Sequence, residues 1–343
     1  MRPFTKIVFG IIGLTIFISC KGPKRATRTQ KSHFKILEAK LPIPFLPIKN
    51  LNELFKWDVN FSDSTYSNDS FEKFSSHYSL DTTSIFCFRG DNHRNSPSRG
   101  SVKGKPVSLQ LDWKFKTKYD ETKTKYGVWG GGSGWTGQPL VVKWTKNQKL
   151  RLGIVDLKFI NDENALEVII GSLSGEIYFI NFNTGDSTRL HLAVEGPIKG
   201  TPSVDPRKNG LLYVGQGINR EGRFGAYVFD MFTGKEVMFQ TGMDYNAHCY
   251  WGAFDSNPLI DYKTGTAFWP AENGQIYTLQ STGGKNPKVV RKFKYKGKNT
   301  YRNGIESSMA IIEQYGFFAD NDGNLVCIDL VTMEPQWESD NYD

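Results

Sequence analysis

Apolar and polar positions alternate in short runs along most of this chain, and one run keeps returning. Gly175-Glu-Ile-Tyr-Phe-Ile180 comes back as Gly225-Ala-Tyr-Val-Phe-Asp230, Gly274-Gln-Ile-Tyr-Thr-Leu279 and Gly323-Asn-Leu-Val-Cys-Ile328. The glycines lie 50, 49 and 49 residues apart, a period typical of stacked supersecondary units. Each copy sets a turn glycine before β-branched and aromatic residues, which suit a pleated, half-buried strand. A second strand is predicted just upstream of each, at Leu166–Ile170, Leu211–Val214, Thr266–Trp269 and Tyr315–Ala319. The links are short and carry turn residues, except for the longer stretch from Gln216 to Phe224.

Further upstream a third strand opens on a proline in three copies, Pro139, Pro202 and Pro258, and on Ser307-Ser308 in the fourth. Proline has no N–H to give a ladder and belongs at a strand's first position or on an edge. A fourth, weaker strand follows at Thr188–Val194, Glu236–Thr241, Lys288–Lys294 and Pro335–Glu338. Four short antiparallel strands per unit, repeated, predict an all-β fold, a β-propeller of four-stranded antiparallel blades with about four blades visible. Leu109-Gln-Leu-Asp-Trp113-Lys-Phe115 alternates like one more strand, which four complete blades leave unplaced. The surplus predicts either the N-terminal half of a larger ring or two copies paired edge to edge, since open strand edges invite pairing.

The first twenty residues read differently. Arg2 and Lys6 flank the start of an apolar run, Ile7–Ile18, too short to span a bilayer, and the run ends at Ser19-Cys20. This resembles a bacterial lipoprotein signal, which implies lipidation at Cys20. Lys21, where an aspartate would favour inner-membrane retention, points to an outer-membrane lipoprotein facing the periplasm. Residues 21–80 read as a basic, polar and proline-spaced tether with little apolar surface to bury, with one short helix expected around Leu51–Trp57. The propeller is expected over residues 81–343.

Composition changes the picture in one respect. The net charge of +8 suggests a nucleic-acid binder. Residues 1–20 hold two positive charges and residues 21–50 a net of +7, so the remainder carries about −1. A nucleic-acid-binding domain places its basic patch on the folded part, so that class is set aside. Aromatic residues at 14% and 34 glycines agree with a turn-rich β protein.

Phe86-Cys-Phe-Arg-Gly90, Arg94 and Asn95, then Trp113-Lys-Phe115, resemble the opening of the pyrroloquinoline-quinone-like (PQQ-like) propeller repeat family. Its repeat pattern of an acid, then Thr-Gly, then Trp is similar to Asp230, Thr233 and Gly234 with Met238 for Trp. Asn181, Thr184 and Gly185 form a looser copy. Thr282 and Gly283 keep the turn with Leu279 for the acid, and Cys327, Asp329, Thr332 and Trp337 match with Met333 for Gly. These positions are structural: the acid or amide accepts hydrogen bonds from the turn, Thr-Gly closes the corner, and the Trp packs between blades. The resemblance covers residues 86–343 and identifies a fold rather than a chemistry. No cofactor follows from it. The adjacent-cysteine pair of quinoprotein dehydrogenases is missing, and no Glu, Asn and Asp set to clamp PQQ stands out.

Loops entering the innermost strands share one face with those between the second and third strands, and function concentrates on such loops. Three entering loops are rich in aromatic and hydrogen-bonding groups: Tyr126 to Trp135 with Trp129, Tyr245 to Trp251 with His248, and Asn299 to Asn303 with Tyr301 and Arg302. Trp129, Trp135, His248, Trp251, Tyr301 and Arg302 are therefore the candidate ligand-binding residues. The competing reading is that the aromatics fill the channel and the blade interfaces.

Other motifs fail on chemistry. Gly130–Gly134 lacks the Lys-Ser/Thr ending of a phosphate loop, and Gly171–Gly175 has Leu173 where a nucleophile elbow needs Ser. Asp320-Asn-Asp322-Gly323 lacks the further ligands of a calcium loop and reads as a hairpin turn. His93 and His248 are too few for a metal centre. Cys87, Cys249 and Cys327 allow at most one internal disulfide.

Together these features predict a non-catalytic, lipid-anchored propeller in the cell envelope that binds a protein or glycan partner. The alternatives are a quinoprotein-type oxidoreductase using PQQ and a glycan-binding module beside carbohydrate-degrading enzymes.

Overall fold

A computed structural model of the chain describes residues 56–61, 71–101, 104–105, 108–134, 136–220, 222–281, 285–296 and 304–340. Cys20 and the signal stretch around it lie outside these residues. No helix among them is long and apolar enough to cross a membrane.

Blade 1 is β4 (Leu140–Lys143), β5 (Leu166–Gly171), β6 (Glu176–Asn181) and β7 (Leu192–Ala193). Blade 2 is β8 (Ser203–Val204), β9 (Leu211–Gly215), β10 (Gly225–Asp230) and β11 (Lys235–Thr241). Blade 3 is β12 (Leu259–Ile260), β13 (Ala267–Pro270), β14 (Gln275–Ser281) and β15 (Pro287–Lys296). Blade 4 is β16 (Ala310–Ile312), β17 (Tyr315–Ala319), β18 (Asn324–Asp329) and β19 (Glu334–Asp340). In every blade sequence neighbours pair antiparallel. β1 (Lys56–Phe61) adds a fifth strand to the rim of blade 3, with Lys56 opposite Lys296 and Phe61 opposite Arg291. β2 (Asp120–Thr124) and β3 (Gly127–Gly130) form a separate hairpin. The chain is an all-β propeller built of four-stranded blades.

Period-two alternation sends successive side chains to opposite faces of a blade. Tyr213, Val228, Trp269, Tyr277 and Leu279 bury themselves between blades 2 and 3 with Phe254. Leu212, Val214, Tyr227 and Phe229 turn to the other side, into the cluster that holds Ile169, Ile177 and Phe179 of blade 1. The acid of the repeat does what its chemistry suggests. Asp230 Oδ1 accepts from Phe232 N, Asn181 Oδ1 from Asn183 N, and Asp329 Oδ1 from Val331 N and Thr332 N. Asp320–Gly323 is a hairpin turn, with Gly323 N donating to Asp320 O.

Some expectations give way. Residues 109–115 form no strand. Blade 4 already has its outermost strand in β19, so Trp113 and Phe115 instead cover the face of blade 1 formed by Val168, Tyr178 and Ile180, and Trp113 Nε1 donates to Phe182 O. β7 shrinks to two residues because Thr188 and Arg189 turn inward to the buried Glu167 carboxylate. The prolines stand just ahead of β4, β8 and β12 rather than inside them. Lys56 and Trp57 lie in β1, not in a helix. Phe71, Phe74 and Tyr78, in the stretch expected as tether, are buried in the main core. Two helices that periodicity did not announce, α1 (Lys146–Arg151) and α2 (Leu157–Asn161), fill the β4–β5 link, and Thr145 with Gln148 makes a capping box at the first.

The motif around Phe88-Arg-Gly90 has a structural role. Residues 85–94 touch the innermost strand of every blade or the residues leading into it, so they run along the axis. Ile85 bridges Val141, Phe86 O accepts from Val204 N, Phe88 N donates to Asn257 Oδ1, and Asn92 exchanges bonds with Ile311. Arg94 is buried and locks the segment: its guanidinium donates to Met309 O, Phe88 O, Asn257 Oδ1 and Asn257 O at 2.7–2.8 Å. Gly90 makes the turn at φ 83°, where a Cβ would stand 1.8 Å from Ser96 O.

Candidate functional site: the axial mouth

A repeated hydrogen-bond belt builds the mouth. The loop entering each of blades 2, 3 and 4 donates to the preceding blade's second strand end: Ile198 N to Ser172 O, Phe254 N to Gln216 O, Ile305 N to Ala271 O. Each of these donors is a buried apolar residue. The residue after each one is charged: Lys199, Asp255, Glu306. The repeat therefore delivers three equivalent side chains to one place. Glu272, from the β13–β14 turn, joins them after its N–H donates to Ala253 O.

Carboxylate oxygens of Asp255, Glu272 and Glu306 lie within 4.8 Å of one another. Lys199 Nζ forms an ion pair with Asp255 Oδ2 and stands 3.8 Å from Glu306 Oε1. The Asp255 side chain is 0% exposed and that of Glu306 is 44% exposed, so the cluster opens to solvent through Glu306. Asp255 pairs with the Lys199 ammonium and shares a side-chain hydrogen bond with the facing Glu272 carboxyl. Burial, reinforced by the facing Asp255, holds the Glu272 carboxyl well above the carboxylate range. Burial alone would lower Lys199, but Asp255 outweighs it and the ammonium is held above its usual value. Gly217 leaves the needed room, since a Cβ there would come 2.3 Å from Asp255 Oδ1. Cys249 lies nearby, its thiol pushed up by burial and then by Glu272. Cys87, Cys249 and Cys327 are buried and no disulfide joins them.

A second group of side chains stands farther out on the same loops. The β2–β3 hairpin reaches blade 2 through Asp120 and Arg220 at 2.5 Å, and Thr122 and then Arg220 hold the Asp120 carboxyl down to about 2. At its turn Tyr126 meets Trp251 edge to face, ring centroids 5.0 Å apart, and Lys125 Nζ lies 4.8 Å from the Tyr126 ring and 5.9 Å from the Trp251 ring. Tyr245 and Tyr250, on the loop that carries Trp251, are fully and 83% exposed.

Of the residues the sequence nominated, Trp251 belongs to this group, Trp129 sits half-buried in β3 of the same hairpin, and His248 is half-buried three residues before Trp251. Trp135, Tyr301 and Arg302 lie outside the described residues. Sequence reasoning missed Asp255, Glu272 and Glu306. Aligning the copies on Pro202, Pro258 and Met309 reveals three of the cluster, since Lys199, Asp255 and Glu306 each stand three residues earlier.

The residues do not fit PQQ. The axis itself is filled by residues 85–94, and the one ammonium at the mouth above it, Lys199, is already paired with Asp255 beside Glu306, which leaves no free cation there among the described residues to hold a tricarboxylate quinone.

No protein-family model matches the sequence, and no curated protein matches it. Among solved structures the chain is similar to BamB from Moraxella catarrhalis at 16% identity, over 52% of this chain and 47% of that one, with a TM-score of 0.36. It is similar to the WD40 β-propeller domain of Doa1 at 14% identity, over 52% of each chain, with a TM-score of 0.36. A europium-containing methanol dehydrogenase aligns at 12% identity over 59% of this chain and 47% of that one, with a TM-score of 0.41. The chain thus spans about half the length of these structures. Its four repeated antiparallel blades, joined by one belt of hydrogen bonds, make it a β-propeller.

Proposed function

We propose that this protein is a non-catalytic propeller scaffold that holds a protein partner at its mouth, anchored in the outer membrane through a lipid on Cys20 and facing the periplasm. The observation that carries the reading is the exposure of Tyr245 and Tyr250 beside the Tyr126–Trp251 pair, all on loops braced by the blades. Tyrosine gives a large, rigid, amphipathic contact at small entropic cost and is enriched where proteins meet. Lys125 covers the Tyr126 and Trp251 rings, which favours a protein partner over a sugar, since a sugar would need an open ring face.

The test is site-specific photocrosslinking from position 250 in membranes, with Leu157, exposed in α2, as the control position. The reading expects a discrete crosslinked protein from position 250, absent from 157 and lost when Tyr245 is changed to Ala. Equal yields from both positions would defeat it. Cys20→Ser is expected to release the protein from membranes, and a variant that stays bound removes the anchor from the proposal.

A further inference from the structure

We infer that the cleft between the β2–β3 hairpin and the long β9–β10 link takes the carboxylate of an acidic side chain from the protein partner. The inference rests on the partner reading above and names the chemistry that the partner brings. The link is the first support. Residues 216–224 join β9 to β10, whereas residues 172–175, 271–274 and 320–323 make the same connection in the other blades. The fold is satisfied by the shorter turn, so the added length serves another end. Arg220 sits in that added length and is the second support. Its side chain is 11% exposed, and Nη1 donates to Asp120 Oδ2 at 2.5 Å. Nε and Nη2 are buried and meet no acceptor among the described residues. Their N–H groups lie along one edge of the guanidinium plane, the fork that matches the two oxygens of a carboxylate. Buried charged donors without acceptors are costly, and a carboxylate in the fork removes that cost.

Charge then selects the ligand. The cleft has a volume of about 750 Å³, and its walls include Lys123, Lys125, Glu195 and Arg220. With Asp120 on the far side of the guanidinium, three cations face two carboxylates. One positive charge is left, which a single carboxylate neutralises, whereas a phosphate dianion leaves the cleft negative. Glu195 is already engaged, its Oε2 accepting from Arg223 N. Asp120 fixes the guanidinium before the acid arrives, since its Oδ1 accepts from Thr122 N at 2.9 Å. Lys125 spans the cleft wall and the Tyr126 ring, so the acid enters beside the Tyr126–Trp251 pair. The fork is dry, so the hairpin shifts to admit the acid. Asp120 stands at its open end, opposite Gly130. A two-stranded ribbon is marginal by itself, and its turn end swings while the Asp120–Arg220 pair stays closed.

The experiment titrates the protein into dye-labelled hexaglutamate and reads fluorescence anisotropy, at about 0.15 M salt to screen exposed charges. Labelled hexaglutamine and inorganic phosphate as competitor are the comparisons. The expected result is saturable binding of hexaglutamate, none of hexaglutamine, and no displacement by phosphate. Arg220→Lys keeps the charge and removes the fork, so it should weaken binding about tenfold. Lys158→Gln, at an exposed position in α2, should weaken it less than about twofold. Asp120→Asn keeps the fork and removes a competing charge, so it should bind at least as tightly as the parent. Equal binding by the parent and Arg220→Lys overturns the site, because only net charge would then be read. So does preference for phosphate, or no binding of hexaglutamate up to about 5 mM. If Arg220→Lys fails to fold, Asp120→Asn decides, and a weaker hexaglutamate complex there overturns the site. Any of these failures with the position-250 crosslink intact removes the acid site and leaves the scaffold reading standing.

Discussion

Replacing Arg94 with Met tests whether the axial segment fastens the blades together. The guanidinium makes four hydrogen bonds, to Met309 O, Phe88 O, Asn257 Oδ1 and Asn257 O, and tethers the segment to blades 3 and 4. Methionine fills part of the volume and strands the acceptors. A charged hydrogen bond contributes about 1.5–3 kcal/mol, and each acceptor left dry costs about 1–3 kcal/mol. These figures describe the same four contacts and do not add, and incoming water offsets part of the loss. A destabilisation of about 4 kcal/mol follows. For a domain of this size about 2 °C accompanies each kcal/mol, so the melting midpoint should fall by about 8 °C. Urea unfolding should show a lower midpoint with an unchanged slope. Arg99→Ala is the control. Its guanidinium bonds Ser96 O and Gly90 O at a more exposed position, so it should cost no more than about 1 kcal/mol. If Arg94→Met costs no more than Arg99→Ala, the axial segment is a passenger and the reasoning fails.

Three further predictions concern stability. Gly90→Ala meets both a positive φ and Ser96 O and should cost about 3 kcal/mol, whereas Gly100→Ala, at φ 82° with nothing within 4 Å of its Cβ, should cost only about 1 kcal/mol; equal losses in urea melts would remove the steric part. Arg189→Met leaves Glu167 buried and short of a partner, a loss of about 3–5 kcal/mol that Glu167→Gln in the same chain should partly restore, and a double variant as unstable as the single one contradicts the pairing. Burial tends to raise Asp81, but Lys208, then Ser84 and Thr83, hold its carboxyl down to about 2. Its folded value lies below its unfolded one, so its stabilisation is complete above about pH 4 and fades as pH falls towards 2. About 1 kcal/mol remains after solvent screening, and Asp81→Asn should flatten that part of the stability–pH curve.

The hairpins were legible because their signals are local. β10 spans Gly225–Asp230 and β17 spans Tyr315–Ala319, the same limits the alternation gives. Blade 2 is offset by one residue. Gly225 O accepts from Gln216 N as Gln275 O accepts from Ala271 N, so its glycine is the strand's first residue and not the turn's last. The long 216–224 link makes that turn without it. Residues 109–115 misled because alternation reports which side chains are apolar, not whether a neighbouring strand has an edge free to pair. Of the mouth, the aromatic Trp251 loop could be read directly. Glu272 could not, because a glutamate in a hairpin turn has no local mark of burial, and only the packing of blade 3 against blades 2 and 4 covers it.

The hydrogen-bond belt separates backbone from chemistry at the axis. Ile198, Phe254 and Ile305 are fastened through peptide groups, so the next residue is placed the same way whether it is a base or an acid. The backbone bonds that place these three positions therefore do not depend on the sign of the charge they carry. Lysine in one copy and acids in the other two illustrate that freedom within one molecule: the architecture is repeated, and the specificity is written one letter at a time.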